Sequence, residues 1–128
     1  MEIKKPRIVD KVWGYEEIIV NLDGKYCGKK LHLNKGYRCS IHRHTKEETF
    51  YIEKGKIYLE LENENKEIEG EVLCECNIVH ILPNRWHRFS GLEDSIIIEF
   101  STPDTESERR ELSGKIPDFE EFLKNIKI

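Results

Sequence analysis

The sequence predicts an all-β fold with one short helix at its carboxyl end. Apolar and polar residues alternate over short runs, turn residues separate these runs at close intervals, and helical periodicity is confined to the end of the chain. Seven or eight short strands at this spacing are typical of a sandwich or barrel. At 128 residues the chain can bury one sizeable core, so we expect a single domain over residues 1–128.

Turn residues separate the predicted strands. The strands are residues 16–20, 29–34, 37–44, 48–53, 56–62, 72–82 and 95–101. The first ends at the turn-forming pair Asp23 and Gly24, and Gly55 separates the fourth from the fifth. The polar run 62–67 is expected to be a hairpin tip, and Gly70 a further turn.

Helical features appear only after the predicted strands. Pro117 suits the first turn of a helix, and acidic residues after it favour the positive end of the helix dipole. The apolar stripe of this helix is Phe119, Phe122 and Leu123. We therefore expect the strands to fill about residues 11–103, followed by a tail and helix over about 104–128. Arg109 and Arg110 lie in a polar part of that tail, which we interpret as solvated.

Composition argues against several classes of partner. The net charge is −4, and the 36% of charged residues mix both signs, which speaks against a nucleic-acid or membrane surface. No apolar run approaches the ~20 residues of a membrane helix, and the amino terminus lacks the apolar stretch of a secretory signal. We therefore expect a cytoplasmic protein whose 4 cysteines are free thiols that pack as small core residues.

Four side chains have the spacing of metal ligands. His42 and His44 are two residues apart, which puts both on one face of a strand, Glu48 follows closely, and His87 comes later. Neighbouring strand residues face opposite sides, so only one of Glu47 and Glu48 can point inward, and the interval to the next glycine favours Glu48. Three nitrogen ligands and one carboxylate suit one divalent transition ion, such as manganese, iron, nickel or zinc. Such a site leaves positions open for a small molecule.

These residues resemble the two sequence motifs of the cupin superfamily. The first motif is a glycine, five residues, His-x-His, three or four residues, a glutamate, six residues and a glycine. Every position is met here, by Gly36, His42, His44, Glu48 and Gly55. The second motif keeps only its histidine, His87. Its other positions hold Cys76, Leu82, Asn84 and Gly91, where the motif has glycine, proline, glycine and asparagine.

Further residues are similar to those of sugar-active cupins of the mannose-6-phosphate isomerase and D-lyxose isomerase kind. They are Trp-Gly-Tyr-Glu at 13–16, Lys29 seven residues before Gly36, Trp-His-Arg-Phe at 86–89, and Glu-Phe-Ser-Thr-Pro at 99–103. The resemblance implies a double-stranded β-helix, which is a jelly-roll-like barrel. It also implies a homodimer formed through an edge strand.

Three residues are candidates for proton transfer. Glu99 interrupts the apolar run 96–100, where an acid must face solvent or an internal polar site because burying it unpaired is costly. Facing the mouth of the barrel, Glu99 would be a general base with a raised pKa. Lys29 and Lys46 are the reserve candidates, and each alternatively is an ordinary solvated lysine.

Tyr58, Trp86 and Arg88 are candidates for substrate binding, because sugars pack their C–H faces on aromatic rings. Ordinary packing in the core or at its rim is the alternative for each. His32 and His80 lack ligand-like spacing, so we interpret both as structural.

The sequence thus favours a metal-dependent aldose–ketose isomerase that acts on a free sugar or a sugar phosphate. Two alternatives remain open. One is a non-catalytic carbohydrate-binding cupin that uses the same pocket and ion for recognition only. The other is an iron-dependent dioxygenase, because two histidines and a carboxylate can hold iron with open positions.

Overall fold

A computed structural model describes residues 1–126 as strands followed by one short helix. The elements are β1 Arg7–Lys11, β2 Gly14–Leu22, β3 Tyr26–Leu33, β4 Tyr37–Arg38, β5 Ile41–Arg43, β6 Glu48–Lys54, β7 Lys56–Glu62, β8 Ile68–Cys74, β9 Ile78–Ile81, β10 His87–Gly91, β11 Ser95–Ser101, β12 Glu108–Glu111, β13 Gly114–Lys115 and α1 Phe119–Asn125. Lys127 and Ile128, the last two residues of the predicted tail, lie outside the described residues.

Two antiparallel sheets form a sandwich. Sheet A has the strand order β1-β2-β3-β11-β6-β9. Sheet B has the order β12-β5-β10-β4-β13, and β7 joins it by pairing with both β10 and β8. The predicted all-β class and the short carboxyl-terminal helix are confirmed.

The core lies between the inner faces of the two sheets. Its buried apolar residues are Trp13, Leu31, Leu33, Cys39, Phe50, Ile52, Ile57, Leu59, Ile81, Phe89 and Ile97. Most of them come in pairs two residues apart on one strand, and this spacing puts both members of a pair on the same face of the sheet.

The inner faces change from apolar to polar at one end of the sandwich. On each of four strands, the inward position two residues beyond a core residue holds a polar side chain. The pairs of core residue and polar residue are Leu31 and Lys29, Phe50 and Glu48, Phe89 and His87, and Ile97 and Glu99. All four polar side chains are buried. Strand alternation therefore gathers the candidate site residues at one end, with the hydrophobic core as its floor.

The structure differs from the predicted strands in the region around Gly70. This glycine lies within β8, opposite Glu60 of β7, and not in a turn. A Cβ atom at Gly70 would come within 1.8 Å of the Tyr58 hydroxyl, so the glycine makes room for that ring. The predicted strand 72–82 is interrupted by a turn in which Cys76 has φ 71°. It therefore forms the end of β8 and the separate strand β9.

Four sheet strands fall outside the predicted set, namely β1, β10, β12 and β13. β10 is buried along its whole length, so its sequence lacks the alternation of polar and apolar residues that marks a half-buried strand. β12 and β13 lie in the tail, where short polar strands pair with β5 and β4. The tail thus completes sheet B.

Helix α1 packs against the outer face of β7. The Asp118 side chain accepts a hydrogen bond from the backbone N–H of Glu121 and so caps the helix. The Phe122 ring lies edge-on to Tyr58, with 5.9 Å between the ring centroids. Between residues 1 and 126, no helix has the length and apolar character that crossing a bilayer requires.

Candidate metal centre

Three imidazoles converge at the polar end of the sandwich. His42 on β5 lies directly opposite His87 on β10, so their side chains share one face of sheet B. Their ring centroids are 4.3 Å apart, and the ring of His44, just beyond the end of β5, is 5.1 Å from that of His87. One ring nitrogen from each histidine lies within 4.8 Å of the other two. This cluster can hold a metal ion.

Backbone carbonyls fix the orientation of each imidazole. Nδ1 lies 2.8 Å from the Ser40 carbonyl oxygen in His42, 3.2 Å from the Lys46 carbonyl oxygen in His44, and 2.8 Å from the Arg85 carbonyl oxygen in His87. A carbonyl oxygen can only accept, so each Nδ1 donates its proton. A neutral imidazole then presents the lone pair of Nε2, which is the arrangement found in histidines that bind metals.

Burial and the neighbouring imidazoles keep His42 neutral. Its pKa falls to about 3, chiefly because burial disfavours the charged ring, with a further contribution from the charge of His87. A neutral ring is the form that binds a metal ion.

Glu48 lies beside two of the three imidazoles. Its Oε1 is 2.9 Å from Nε2 of His44 and 3.4 Å from Nε2 of His87. Burial opposes ionisation of Glu48, but the contacts with His44 and His87 and the charge of Lys46 hold its pKa below the ordinary value. The carboxylate is therefore charged at neutral pH.

Within the part of the chain that the structure describes, two buried atoms at this point have no hydrogen-bond partner, Oε1 of Glu48 and Nε2 of His87. Unpaired buried polar atoms are costly, and here both are electron-pair donors that face each other. A cation between them would satisfy both. The donor set of three imidazole nitrogens and one carboxylate oxygen therefore fits a divalent transition ion, although it does not select one metal.

The Lys46 ammonium joins three carboxylates next to the imidazoles. Its Nζ is 2.7 Å from Asp104, 2.9 Å from Glu99 and 3.6 Å from Glu48. Lys29 on β3 contacts Asp104 at 2.7 Å and Glu16 at 3.5 Å. The three candidate proton-transfer residues Glu99, Lys29 and Lys46 are therefore close together. Sequence reasoning missed Asp104, because nothing near it in the sequence indicates that two lysines reach it.

The surroundings separate Glu99 from the two lysines chemically. Burial lowers the pKa of Lys46, but Glu99 and Glu48 outweigh it, so the pKa lies well above its usual range. Lys29 likewise has a raised pKa, because the charge of Glu99 and the contact with Asp104 outweigh burial. Both lysines thus stay protonated and are unsuited to act as bases. The pKa of Glu99 is raised by burial and by the charge of Glu48, against the opposing effect of the lysines.

A second group of potential ligands consists of Cys27, Glu99 and Asp104. The two lysine ammoniums already neutralise both carboxylates in this group. Burial raises the pKa of the Cys27 thiol, which disfavours the thiolate that would bind a metal. This group is therefore an ion-pair network. All 4 cysteines are free, with Cys27 and Cys39 buried and the other two exposed.

A cavity of about 280 Å³ opens over His42 and His44. Its polar lining includes Lys29, His42, His44, Lys46, Glu48 and Glu99, and its tail residues include Asp104, Ser107 and Arg109. Arg109 is exposed, as the sequence predicts for this polar tail, and its side chain also lines the cavity. Nothing in the local sequence predicts that this segment pairs with β5.

Trp86 and Arg88 point away from this cavity. Because His87 faces inward, strand alternation turns its two neighbours to the outer face of sheet B. The Trp86 ring lies between two guanidinium groups, 4.7 Å from Arg43 and 3.9 Å from Arg110. Arg88 donates from Nε to the Cys39 carbonyl oxygen at 3.0 Å, and its Nη2 lies 3.0 Å from a Glu111 carboxylate oxygen. The predicted role in substrate binding does not fit these positions.

Tyr58 also lies outside the cavity. Its neighbours Ile57 and Leu59 belong to the core, so Tyr58 faces the opposite side of β7 and packs on Phe122. Two histidines without ligand-like spacing occupy outer positions too. His32 stacks on Tyr15 with 4.1 Å between centroids, and His80 is 2.7 Å from Glu47. Glu47 thus faces outward, and its neighbour Glu48 faces inward.

Comparison with known proteins identifies the fold. No model of a known protein family matches the chain, and no curated protein matches it either. Solved structures do match. Capsular polysaccharide assembling protein CapF from Staphylococcus aureus superposes with a TM-score of 0.73 at 15% identity, covering 86% of this chain and 33% of that one.

Oxalate decarboxylase from Bacillus subtilis also matches. One mutant structure of it superposes with a TM-score of 0.72 at 14% identity, covering 82% of this chain and 30% of that one. Another gives 0.68 at 15% identity, covering 77% and 27%. The chain spans about a third of the length of these proteins. At such low identity the matches speak for architecture alone, and they show that this chain has the cupin fold.

Proposed function

We propose that this protein is a metal-dependent aldose–ketose isomerase that acts on a sugar or a sugar phosphate. The observation that carries the proposal is a buried carboxylate, Glu99, that lines the same cavity as His42 and His44, two of the three converging imidazoles. Isomerisation moves one proton between adjacent carbons and needs both a base and positive charge near the two oxygens. A cavity of about 280 Å³ is just below the ~300–1,000 Å³ typical of ligand pockets, which suits a small substrate.

His42, His44, His87 and Glu48 are the residues that would hold the ion. A divalent ion bound there would supply positive charge to the carbonyl and hydroxyl oxygens of the sugar. The backbone carbonyls behind the imidazoles hold each Nδ1, which orients the rings and leaves the Nε2 lone pairs available to the ion.

Glu99 is the residue to which we assign the proton transfer. Its Oε2 accepts hydrogen bonds from Lys46 Nζ and Ser101 Oγ, both at 2.9 Å. Among residues 1–126, no hydrogen bond occupies Oε1, which leaves that oxygen to meet a substrate. Glu99 would take a proton from C2 and return it to C1, and the hydroxyl proton would move from O2 to O1. Lys46 and Lys29 would orient Glu99 and donate hydrogen bonds to the sugar.

The test is ketose formation from a panel of aldoses and aldose phosphates by the metal-loaded protein. We expect Glu99→Gln to lower turnover by at least ~10²-fold, the usual contribution of a positioned base, while metal content stays unchanged. Glu53→Gln is the matched control, because that carboxylate is exposed on β6, where it pairs with Lys30 at 3.1 Å. Equal turnover in Glu99→Gln and wild type would refute the assignment of the base.

Metal content is the second measurement. His87→Ala should weaken metal binding by more than the ~10–100-fold that loss of an orienting partner costs, since it removes a ligand outright. His80→Ala is the control, because that imidazole is exposed and pairs with Glu47 on the outer face. Equal metal content in the two variants would contradict the assignment of His87 as a metal ligand. Saturable sugar binding without turnover would instead favour a carbohydrate-binding protein.

A further inference from the structure

Arg109 projects from the tail into the cavity next to the candidate metal centre. In the pairing of β12 with β5, Arg109 lies directly opposite His42. Residues directly opposite each other in an antiparallel pair have their Cβ atoms about 4.5–5.5 Å apart and share a face. Arg109 therefore faces the same side as His42, and its side chain lines the cavity.

Contacts on the outer face fix this orientation. Glu108 contacts Arg43 at 3.1 Å, and Arg110 lies over the Trp86 ring at 3.9 Å. Both neighbours of Arg109 are thus held on the outside of sheet B. A slip of one residue would turn Arg109 outward and would break both outer contacts, so the register is specified.

Arg109 differs from the other cations near the centre in having no acidic partner. Lys29 and Lys46 are each within 4.0 Å of at least two carboxylates. Across residues 1–126, no carboxylate oxygen lies within 4.0 Å of the Arg109 guanidinium. Hydroxyl groups share the cavity wall with it, on Ser40, Thr105, Ser107 and Ser113. A free guanidinium beside hydroxyl donors is a suitable site for an oxyanion, which it can bind through two parallel hydrogen bonds.

The charge of the cavity favours a dianion. Its lining has four basic residues, Lys11, Lys29, Lys46 and Arg109, and four acidic ones, Glu16, Glu48, Glu99 and Asp104. These balance, so a divalent ion would bring two positive charges that the lining does not offset. A phosphate monoester carries ≈ −1.5 to −2 at pH 7 and would offset them.

We infer that Arg109 binds the phosphate group of the substrate, and that the substrate is a sugar phosphate and not a free sugar. This inference rests on the proposed function, because it concerns the same cavity. Arg109 is a specificity-determining residue in this scheme. It lies at the solvent-exposed end of the cavity, while Glu99 and the imidazoles lie at its buried end.

The test measures binding of inorganic phosphate to the metal-free protein, so it does not depend on isomerase activity. The readout is the thermal unfolding midpoint, which rises when a ligand binds the folded state. We expect phosphate to raise the midpoint of wild type more than sodium acetate or chloride does at equal ionic strength. In Arg109→Gln, phosphate should raise the midpoint no more than acetate or chloride does. Arg7→Gln, an exposed arginine on β1 with the same change in charge, should keep the wild-type response.

A phosphate response of equal size in Arg109→Gln and wild type, or none in wild type, would overturn the inference. If Arg109→Gln does not fold, Arg109→Lys is the variant to measure. It keeps the positive charge but cannot form two parallel hydrogen bonds, so phosphate should raise its midpoint less than that of wild type. In the active protein, Arg109→Gln should raise KM for the preferred sugar phosphate by about 10- to 100-fold, the loss of one or two charge-assisted hydrogen bonds. Turnover of no sugar by any variant would refute the isomerase proposal while leaving the phosphate result intact.

Discussion

At the scale of single residues, the candidate centre depends on imidazoles that stay neutral inside the protein. His42 has a pKa of about 3 in the folded chain, against an ordinary value near 6.5. Between these values the unfolded chain binds a proton that the folded chain does not. Stability therefore falls as pH decreases from about 6.5 towards 3, and above pH 6.5 His42 has no effect on it.

For the metal-free protein we expect the free energy of unfolding to fall between pH 6.5 and 5. The slope due to His42 is at most about 1.4 kcal/mol per pH unit. His42→Gln should have a shallower dependence, measured by urea denaturation at closely spaced pH values. Asn65→Gln is an exposed change that removes no titratable group and should keep the wild-type dependence. A slope that His42→Gln leaves unchanged would contradict the buried neutral ring.

At the scale of the elements, β12 depends on the outer face of sheet B for its position. Trp86 is only 5% exposed, although it faces away from the core, because the Arg43 and Arg110 side chains cover its ring. Each guanidinium adds a cation–π contact of about 0.5–1 kcal/mol at such sites. This stack connects β5, β12 and the start of β10 on the side opposite the cavity.

Trp86→Ala should lower the free energy of unfolding by about 3–5 kcal/mol, because it removes a buried ring together with both stacked contacts. Urea denaturation measures this loss. The comparison variant is Phe100→Ala, which removes an aromatic ring that is 58% exposed on sheet A and should cost clearly less. Losses of equal size in the two variants would mean that the stack contributes nothing to stability.

The elements also show how far the sequence alone can lead. Alternation predicted β6, β7 and β11 because each has one buried face and one more exposed face. In such a strand, apolar and polar residues alternate along the sequence. Alternation also predicted that only one of Glu47 and Glu48 faces inward, and the interval to Gly55 favoured Glu48. The same rule, applied to β10, would have turned Trp86 and Arg88 outward once His87 was taken as a ligand.

The features that the sequence did not predict depend on contacts between distant parts of the chain. Nothing near Arg109 in sequence indicates that it pairs with His42, 67 residues earlier. Asp104 likewise acquires its role only because Lys29 and Lys46 reach it from elsewhere in the fold. Local sequence patterns indicate which face of a single strand is buried. The order of strands in a sheet depends on the whole chain.

At the scale of the whole molecule, the candidate centre bridges the two sheets. His42 and His87 belong to sheet B, and Glu48 is the first residue of β6 in sheet A. An ion bound by all of them would link the two layers at the end where hydrophobic packing gives way to polar side chains. The core holds the sandwich together without the ion, so binding should stabilise a chain that is already folded.

We therefore expect a manganese, zinc, iron or nickel salt to raise the thermal unfolding midpoint without changing far-UV circular dichroism. At a free metal concentration 1,000 times the dissociation constant, the gain is ≈ 4.1 kcal/mol, which corresponds to a rise of roughly 10–20 °C for a chain of this size. A chelator should return the midpoint to its starting value. His87→Ala should give almost no response to metal, while His80→Ala should respond as wild type does. A wild-type midpoint that stays constant while elemental analysis shows the ion bound would mean that the ion does not join the two sheets.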